Sequence, residues 1–494
     1  MSATTLHFHT AFQVGPVDPR IFGGFAEHMG RCIYEGLYDP DSKHADEYGF
    51  RTDVLNALEW LNTTAMRYPG GNFVSGYHWQ DGIGPIDERP TVRELAWQSI
   101  EPNHVGTDEF LRLCDRMEWT PMITVNLGTG TPEEARNWVE YCNCTPGTRY
   151  ADLRTANGHA EPYGVKLWCL GNEMDAEFQI GHVPAEQYAI RAQQAAKMMK
   201  DTDRSLKLVA SGTCIPALPT YMEWDRTVLE YLGDTVDYIS MHRYAENNDD
   251  NTPAFLAMGN AVDTQIEQMD AVCRFSQARL RSTKRVRLCF DEWNVWYKNH
   301  EVDGAGKRAP HLIEETYNLE DALVVANFLN SFIRHADCVK IANLAQMVNV
   351  IAPIQTRGDD MLIQSIYWAF GMFSRRRNGV SLRPAIDGDS YATGKYGEAT
   401  CIDTSAILGD GVLHVFLLNR TDEDHDVEIK LADRDIVSLV NAELLTGETA
   451  KTANSFESQD SVKPTLFDDI RFSGRQAHTT LPPLSLVAAT FGVN

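Results

Sequence analysis

The strongest constraint on the fold is an eightfold alternation of short apolar runs with helical stretches. The runs are Ile21 to Ala26, Thr63 to Tyr68, Met122 to Leu127, Val165 to Leu170, Leu206 to Ala210, Val236 to Met241, Val286 to Phe290 and Val339 to Leu344. Helical period is clear between them, as in Ala185 to Lys200, where Tyr188, Ala192, Ala195, Ala196 and Met199 form one apolar stripe. Strands that alternate with helices build parallel βαβ units, and eight of them predict closure into a (β/α)8 TIM barrel. After about Arg375 the helical spacing stops. Alternating segments at Val412 to Leu418, Val427 to Leu431, Val437 to Val440, Thr479 to Leu481 and Leu486 to Phe491 then predict a C-terminal antiparallel β-sandwich. The N-terminal Thr5 to His9 also alternates and is expected to pair with that sandwich. The predicted division is a barrel over 16–375 and a sandwich over 376–494 that takes in a strand from 1–15. No Gly/Ser-rich or Pro-rich linker marks the junction, so the two are expected to pack closely.

Composition narrows the class. With 43% apolar residues, the 494-residue chain can fill two cores. A net charge of -25, from 69 acidic against 44 basic residues, repels polyanions and argues against nucleic acid or an anionic membrane as partner. The N-terminus has neither the basic start nor the apolar core of a secretory signal, and no window approaches the ~20 apolar residues of a spanning helix. A cytoplasmic protein is expected. Its ten scattered cysteines would then be reduced core thiols, and the sequons at Asn62, Asn143 and Asn419 would stay unmodified.

In such a barrel the carboxyl ends of the strands form the active-site face, so polar residues there are functional candidates by position. Glu173, in Leu170-Gly171-Asn172-Glu173-Met174, follows the fourth run, and Glu292, in Phe290-Asp291-Glu292-Trp293-Asn294, follows the seventh. Glu27, His28, Arg67, Asn126, Asn172, His242, Tyr244 and Gln346 stand at or just past run ends as well. Two converging carboxyls suit hydrolysis of a glycosidic bond. In a retaining enzyme one is protonated and donates to the leaving oxygen, and the other, ~5 to 5.5 Å away, attacks the anomeric carbon. Glu173 reads as the acid/base, with the Asn172 amide beside it for a sugar hydroxyl, and Glu292 as the nucleophile. A negative neighbour such as Glu292 is one way to keep Glu173 protonated until the glycosyl-enzyme forms.

Three motifs carry a family resemblance: Arg67-Tyr68-Pro69-Gly70-Gly71-Asn72-Phe73-Val74-Ser75-Gly76-Tyr77, Trp168-Cys169-Leu170-Gly171-Asn172-Glu173-Met174-Asp175 and Phe290-Asp291-Glu292-Trp293-Asn294-Val295-Trp296-Tyr297. With them the chain resembles the α-L-arabinofuranosidases of glycoside hydrolase family 51 along essentially its whole length. The resemblance implies a retaining exo-enzyme with a (β/α)8 barrel and a jelly-roll-like C-terminal domain, often a homohexamer. It would release terminal arabinofuranose from arabinan, arabinoxylan and derived oligosaccharides, and so serve hemicellulose degradation and L-arabinose metabolism. It also carries Glu27, Arg67, Asn72, Asn172, Tyr244 and Gln346 over as groups that grip the arabinofuranose ring. Arg67 either touches the sugar or orients a carboxylate by a two-pronged contact, and Glu27 either binds the sugar or pairs with Arg67. His242 is a secondary candidate, either a hydrogen-bond partner that holds Glu292 ionised or a packing residue at the barrel end.

Trp97 and Trp296 are candidate walls for a sugar face, whereas Trp79, Trp168 and Trp293 read as core. The stretches Glu246 to Asp250 and Asn299 to Pro310 follow runs six and seven; they either shape the leaving-group side or are solvated loops. No metal or cofactor motif appears: there is no H-E-x-x-H, no Walker loop and no G-x-G-x-x-G in a strand-to-helix context, and Gly70-Gly71 reads as a turn. Another retaining barrel glycosidase, an endo-β-glucanase or β-xylosidase, would keep the same acid pair. A catalytically silent carbohydrate-binding protein would be expected to have lost an acid or its Asn neighbour.

Overall fold

The computed structural model describes residues 3–494, so Met1 and Ser2 of the N-terminal segment lie outside the described residues. Eight parallel strands close into a barrel in sequential order: β1 (Gly23–Phe25), β2 (Ala65–Tyr68), β3 (Thr120–Val125), β4 (Leu167–Leu170), β5 (Lys207–Ala210), β6 (Tyr238–Ala245), β7 (Arg287–Val295) and β8 (Val339–Ala345). The apolar runs mark all eight. Two strands outrun them, so that His242, Tyr244 and Glu292 lie within β6 and β7 and not past them. The ladder slips between Ser240 and His242 and again between Phe290 and Trp293. Such irregularities let a strand continue while polar side chains are aimed into the barrel mouth.

The barrel interior is layered. Met122, Leu167, Cys169, Val209, Tyr238, Cys289 and Ile341 form a closed apolar cluster in the lumen. Further toward the carboxyl ends the same wall carries Arg67, Asp291 and His242, all at most 2% exposed. Outside, the helix Ala185–Thr202 buries its whole predicted stripe of Tyr188, Ala192, Ala195, Ala196 and Met199. The larger of these side chains contribute about 1.5–3 kcal/mol each. Ten free cysteines line the chain, all buried but the half-buried Cys144, and no described helix is long and apolar enough to cross a membrane.

The C-terminal region is a sandwich of two sheets. One contains Thr4–Phe8, Ala385–Asp387, His425–Leu431, Ile470–Ser473 and Gln476–Leu481; the other contains Gln13–Pro16, Val380–Leu382, Ile402–Leu408, Val412–Asn419, Ile436–Leu445, Thr465–Leu466 and Ser485–Val493. Thr4–Phe8 joins as expected, but it runs parallel to His425–Leu431 in an otherwise antiparallel sandwich. Alternation misses Ile402–Leu408 because that strand is buried on both faces, its polar Asp403 and Ser405 being turned to Asn330 and Arg334 and not to solvent. It packs on the helix Leu319–Arg334, which is buried all round between barrel and sandwich. At its end Arg334 joins Asp263 of the barrel region to Asp403 of the sandwich, each at 2.8 Å.

Candidate active site

Local backbone chemistry places the first acid. After β4 the chain turns sharply, with Gly171 at φ 84° and Glu173 at φ 46°. A glutamate gains nothing locally from the left-handed region, and such strain persists where surrounding structure imposes it, commonly at functional sites. The turn leaves Glu173 only 9% exposed, and Glu292 on β7 is 6% exposed. One oxygen of each and a ring nitrogen of His242 all lie within 4.8 Å of one another.

Both oxygens of Glu292 are held. Arg67 Nη1 donates to Oε1 at 2.6 Å and the Tyr244 hydroxyl donates to Oε2 at 2.9 Å. The second terminal nitrogen, Nη2, donates to Asn172 Oδ1 at 2.6 Å, and Nε stands 3.4 Å from Asp291. Of the two readings of Arg67, the contact with carboxylates takes another form than two prongs on one: Arg67, 0% exposed, ties Glu292, Asn172 and Asp291 together. Only a glycine fits alongside. A Cβ on Gly71 would meet Glu292 Oε1 at 2.8 Å and one on Gly70 would meet Glu27 at 2.8 Å, so Gly70-Gly71, read from sequence as a turn, is the pocket floor.

His242 faces the other acid more closely. Its Nδ1 lies 2.9 Å from Glu173 Oε1 but 3.7 Å from Glu292, and its Nε2 lies 3.2 Å from Asp291. The slipped register of β6 turns the ring toward the strand-four acid. Burial works against a charged imidazole, but the carboxylates of Glu292 and Asp291 outweigh it and raise the His242 pKa well above its ordinary value. For Glu173, burial raises the pKa, the His242 hydrogen bond pulls it down and the charge of Glu292 lifts it again; the balance is upward. Asp291, which sequence reasoning passed over, stays below the usual carboxylate range: burial pushes it up, but Arg67 and His242 prevail. Its signal was an acid directly after an apolar strand run.

Glu27 makes no ion pair with Arg67. Its Oε1 accepts from the Phe73 backbone at 3.0 Å and Trp97 Nε1 at 3.2 Å, and its Oε2 accepts from Gln346 Nε2 at 3.1 Å. Burial first, then the charge of Glu292, push its pKa up to about 8 against those donors. Trp97 is fixed at the rim by a buried hook in which Glu94 accepts the backbone N–H groups of Ala96, Trp97 and Ser99. Asn72 meets Asn172 at 3.4 Å. Trp296 stands edge-on to Tyr244, with ring centroids 5.5 Å apart, and donates to the Asn299 carbonyl. The ten primary candidates stand together at the carboxyl-end mouth of the barrel. Asn126 and His28 do not join them: Asn126 Oδ1 caps the N–H groups of Gly128, Thr129 and Gly130, and His28 bridges Glu101 and Tyr68. Trp79, Trp168 and Trp293 are core, at most 1% exposed.

Among the described residues, two sets of donors are close enough for a metal ion: Glu173 with His242 and Glu292, and His335 with Asp337 and Cys338 at the opposite barrel end. The raised pKa of His242 makes its ring a hydrogen-bond donor, which suits proton handling better than ligation. At the second set, Arg285 stands 3.9 Å from Asp337.

Known proteins match this arrangement along the chain. The model of the α-L-arabinofuranosidase 1 domain covers residues 57–264, and that of the α-L-arabinofuranosidase C-terminal domain covers 291–485. The intracellular exo-α-(1→5)-L-arabinofuranosidase 1 of Bacillus subtilis is 41% identical over 457 residues, 91% of each chain. The exo-α-(1→6)-L-arabinofuranosidase of Bifidobacterium longum is 40% identical over 497 residues, 97% of this chain and 95% of that one. A solved family 51 α-L-arabinofuranosidase from Bifidobacterium longum superposes with a TM-score of 0.95 at 35% identity, covering 99% of this chain and 100% of its own. The chain belongs to glycoside hydrolase family 51, the α-L-arabinofuranosidases.

Proposed function

We propose that this protein is a retaining exo-α-L-arabinofuranosidase that removes terminal non-reducing α-L-arabinofuranosyl groups from arabinan, arabinoxylan and their oligosaccharides. The observation that carries the reading is the Glu173–Glu292 pair, whose oxygens approach within 4.8 Å in a buried mouth. That spacing suits double displacement; an inverting pair stands further apart, at ~6.5–9.5 Å, to admit a water. Glu173 gives its proton to the leaving glycosidic oxygen as Glu292, aimed by Arg67 and Tyr244, attacks the anomeric carbon. The covalent ester removes the charge of Glu292, so Glu173 loses a cause of its raised pKa and turns base. It then takes a proton from water as that water opens the ester with retention.

In this reading Glu27, Asn72, Asn172 and Gln346 hold the furanose hydroxyls, with Trp97 and Trp296 as walls, while Arg67 acts through Glu292 and Asn172. A neutral sugar agrees with the acidic chain. A cytoplasmic location is supported by the relatives named intracellular. The homohexamer and the division into 16–375 and 376–494 with 1–15 belong to the same proposal, and light scattering and limited proteolysis test them. The deciding experiment is proton NMR of 4-nitrophenyl α-L-arabinofuranoside cleavage with methanol as acceptor. Methyl α-arabinofuranoside as first product supports the reading, the β-product overturns the role of Glu292, and no cleavage overturns the substrate.

A further inference from the structure

The loop after Leu445 leaves the sandwich and reaches the start of the barrel helix Leu319–Arg334. Its carbonyls cap a barrel helix: Leu319 N–H donates to Thr452 O at 2.8 Å and Glu320 N–H to Ala450 O at 3.0 Å, and Asn318 bridges to Ala453. Between those carbonyls Lys451 reaches two carboxylates at 2.5 Å each, Asp250 and the fully buried Glu320. Glu320 is a junction. Its Oε1 also accepts from Asn247 Nδ2 and the Tyr297 hydroxyl, each at 3.3 Å, and its Oε2 accepts from Thr252 at 2.6 Å.

Each of these partners lies on a segment that leads into the pocket. Asn247, Asp250 and Thr252 follow β6, which carries Tyr244 on Glu292; Tyr297 follows Trp296 at the end of β7. A buried carboxylate needs a compensating cation, and the cation that reaches Glu320 comes from the sandwich. Lys298, the other nearby lysine, is engaged with Asp321.

We propose that Lys451 is a positioning residue for substrate binding: as the cation on Glu320 and Asp250, it lets the sandwich fix the post-β6 and post-β7 segments, and through them Tyr244 and Trp296. The inference rests on the pocket assigned above. It gives the C-terminal sandwich a part in the site, although the sandwich supplies no residue to the pocket. Removal of the cation leaves Glu320 buried with neutral donors only, and the segments that meet on it relax.

The test compares wild type, Lys451→Met, Asp250→Asn and the double variant Lys451→Met with Glu320→Gln on 4-nitrophenyl α-L-arabinofuranoside. It adds hydrogen exchange over 244–252 and 296–299. Lys451→Met is expected to raise KM about tenfold with kcat within about twofold, and to speed exchange in both segments. The double variant, with no buried charge left to compensate, should recover most of the KM. Asp250 is exposed, so Asp250→Asn keeps the fold if Lys451→Met does not, and a smaller KM rise is expected there. Unchanged KM and unchanged exchange in whichever of these variants folds would overturn the latch, as would a lowered Tm without a KM change. An inert wild type would overturn the proposed substrate instead, and exchange would then decide on Lys451.

Discussion

Cys289 and Glu292 share strand β7, yet the first lies in the apolar lumen cluster and the second among Arg67, Asp291, His242 and Tyr244. In the lower layer contacts are dispersive around its aliphatic members, with the Tyr238 hydroxyl held by Arg20 at the edge, so an aliphatic side chain of similar volume can replace another at less than about 1.5 kcal/mol. The upper layer is as buried at Arg67, Asp291 and His242, but with charges that satisfy one another. Removing one partner of a buried ion pair costs about 3–5 kcal/mol, because the charge left behind stays buried. Volume is what matters below and chemical identity is what matters above, a few ångströms apart in one barrel.

The sharpest separation comes from Glu292→Ala, which should lower kcat by on the order of 10⁴-fold or more on every arabinofuranoside. Azide should restore turnover and yield the inverted β-arabinofuranosyl azide; an α-azide product would remove Glu292 from its role. Glu173→Ala is expected to act more selectively. Hydrolysis of substrates with poor leaving groups should fall by roughly 10²–10⁴-fold, while formation of the glycosyl-enzyme from a dinitrophenyl glycoside, which needs little acid help, changes much less. Azide should here give the α-product. Equal losses on both substrates would contradict an acid/base at 173.

Asp291 carries the contrast from catalysis into stability. Asp291→Asn leaves Arg67 without one carboxylate and offers His242 Nε2 a neutral amide oxygen in place of a charged acceptor, and should cost about 3–5 kcal/mol at pH 7. The pH dependence has a definite sign. The folded-state pKa of Asp291 is depressed, so its contribution is present above the unfolded value of about 3.9 and is lost as pH falls through the lower folded value. The gap between wild type and variant in urea unfolding should therefore narrow below pH ~4. A gap independent of pH would mean that packing, not charge, fixes this position.

The same contrast decides what could be read from the sequence. Apolar runs mark the eight barrel strands because each buries a wall, and the flanking motifs expose Glu173 and Glu292 because a charge at the end of such a run has no packing role. Strand limits at β6 and β7 were not legible, since a register slip leaves no compositional trace. Nor was the partner of His242: a ring on a strand can face either neighbour, and one slipped residue decides which. Asp291 carried a signal, an acid directly after an apolar run, but an acid inside a strand looks like the end of the strand, so its buried partners did not show. Gly70 and Gly71 look like any turn until the carboxylates they admit are placed beside them. Long-range polar partnerships are set by tertiary structure, and only the apolar period that builds the scaffold is written locally.

Ile341→Val is the smallest effect and the control for the others. Ile341 is 0% exposed in the lumen cluster, directly beneath the ionised layer. Loss of one methylene should cost about 0.5–1.5 kcal/mol through lost transfer energy and a small cavity, and lower Tm by a few degrees at most, about 2 °C per kcal/mol. Because the layers touch, an elastic barrel would pass that cavity upward and disturb Glu173 and Glu292, whereas a close-packed wall would confine it. The upper layer is held by its own hydrogen bonds at 2.6 to 3.2 Å from several strands, so confinement is expected, with kcat/KM within about twofold of wild type at 25 °C. A tenfold loss of kcat/KM in a variant that remains folded would mean that the acids depend on lumen packing for their aim, and that the boundary between the two layers is not a functional one.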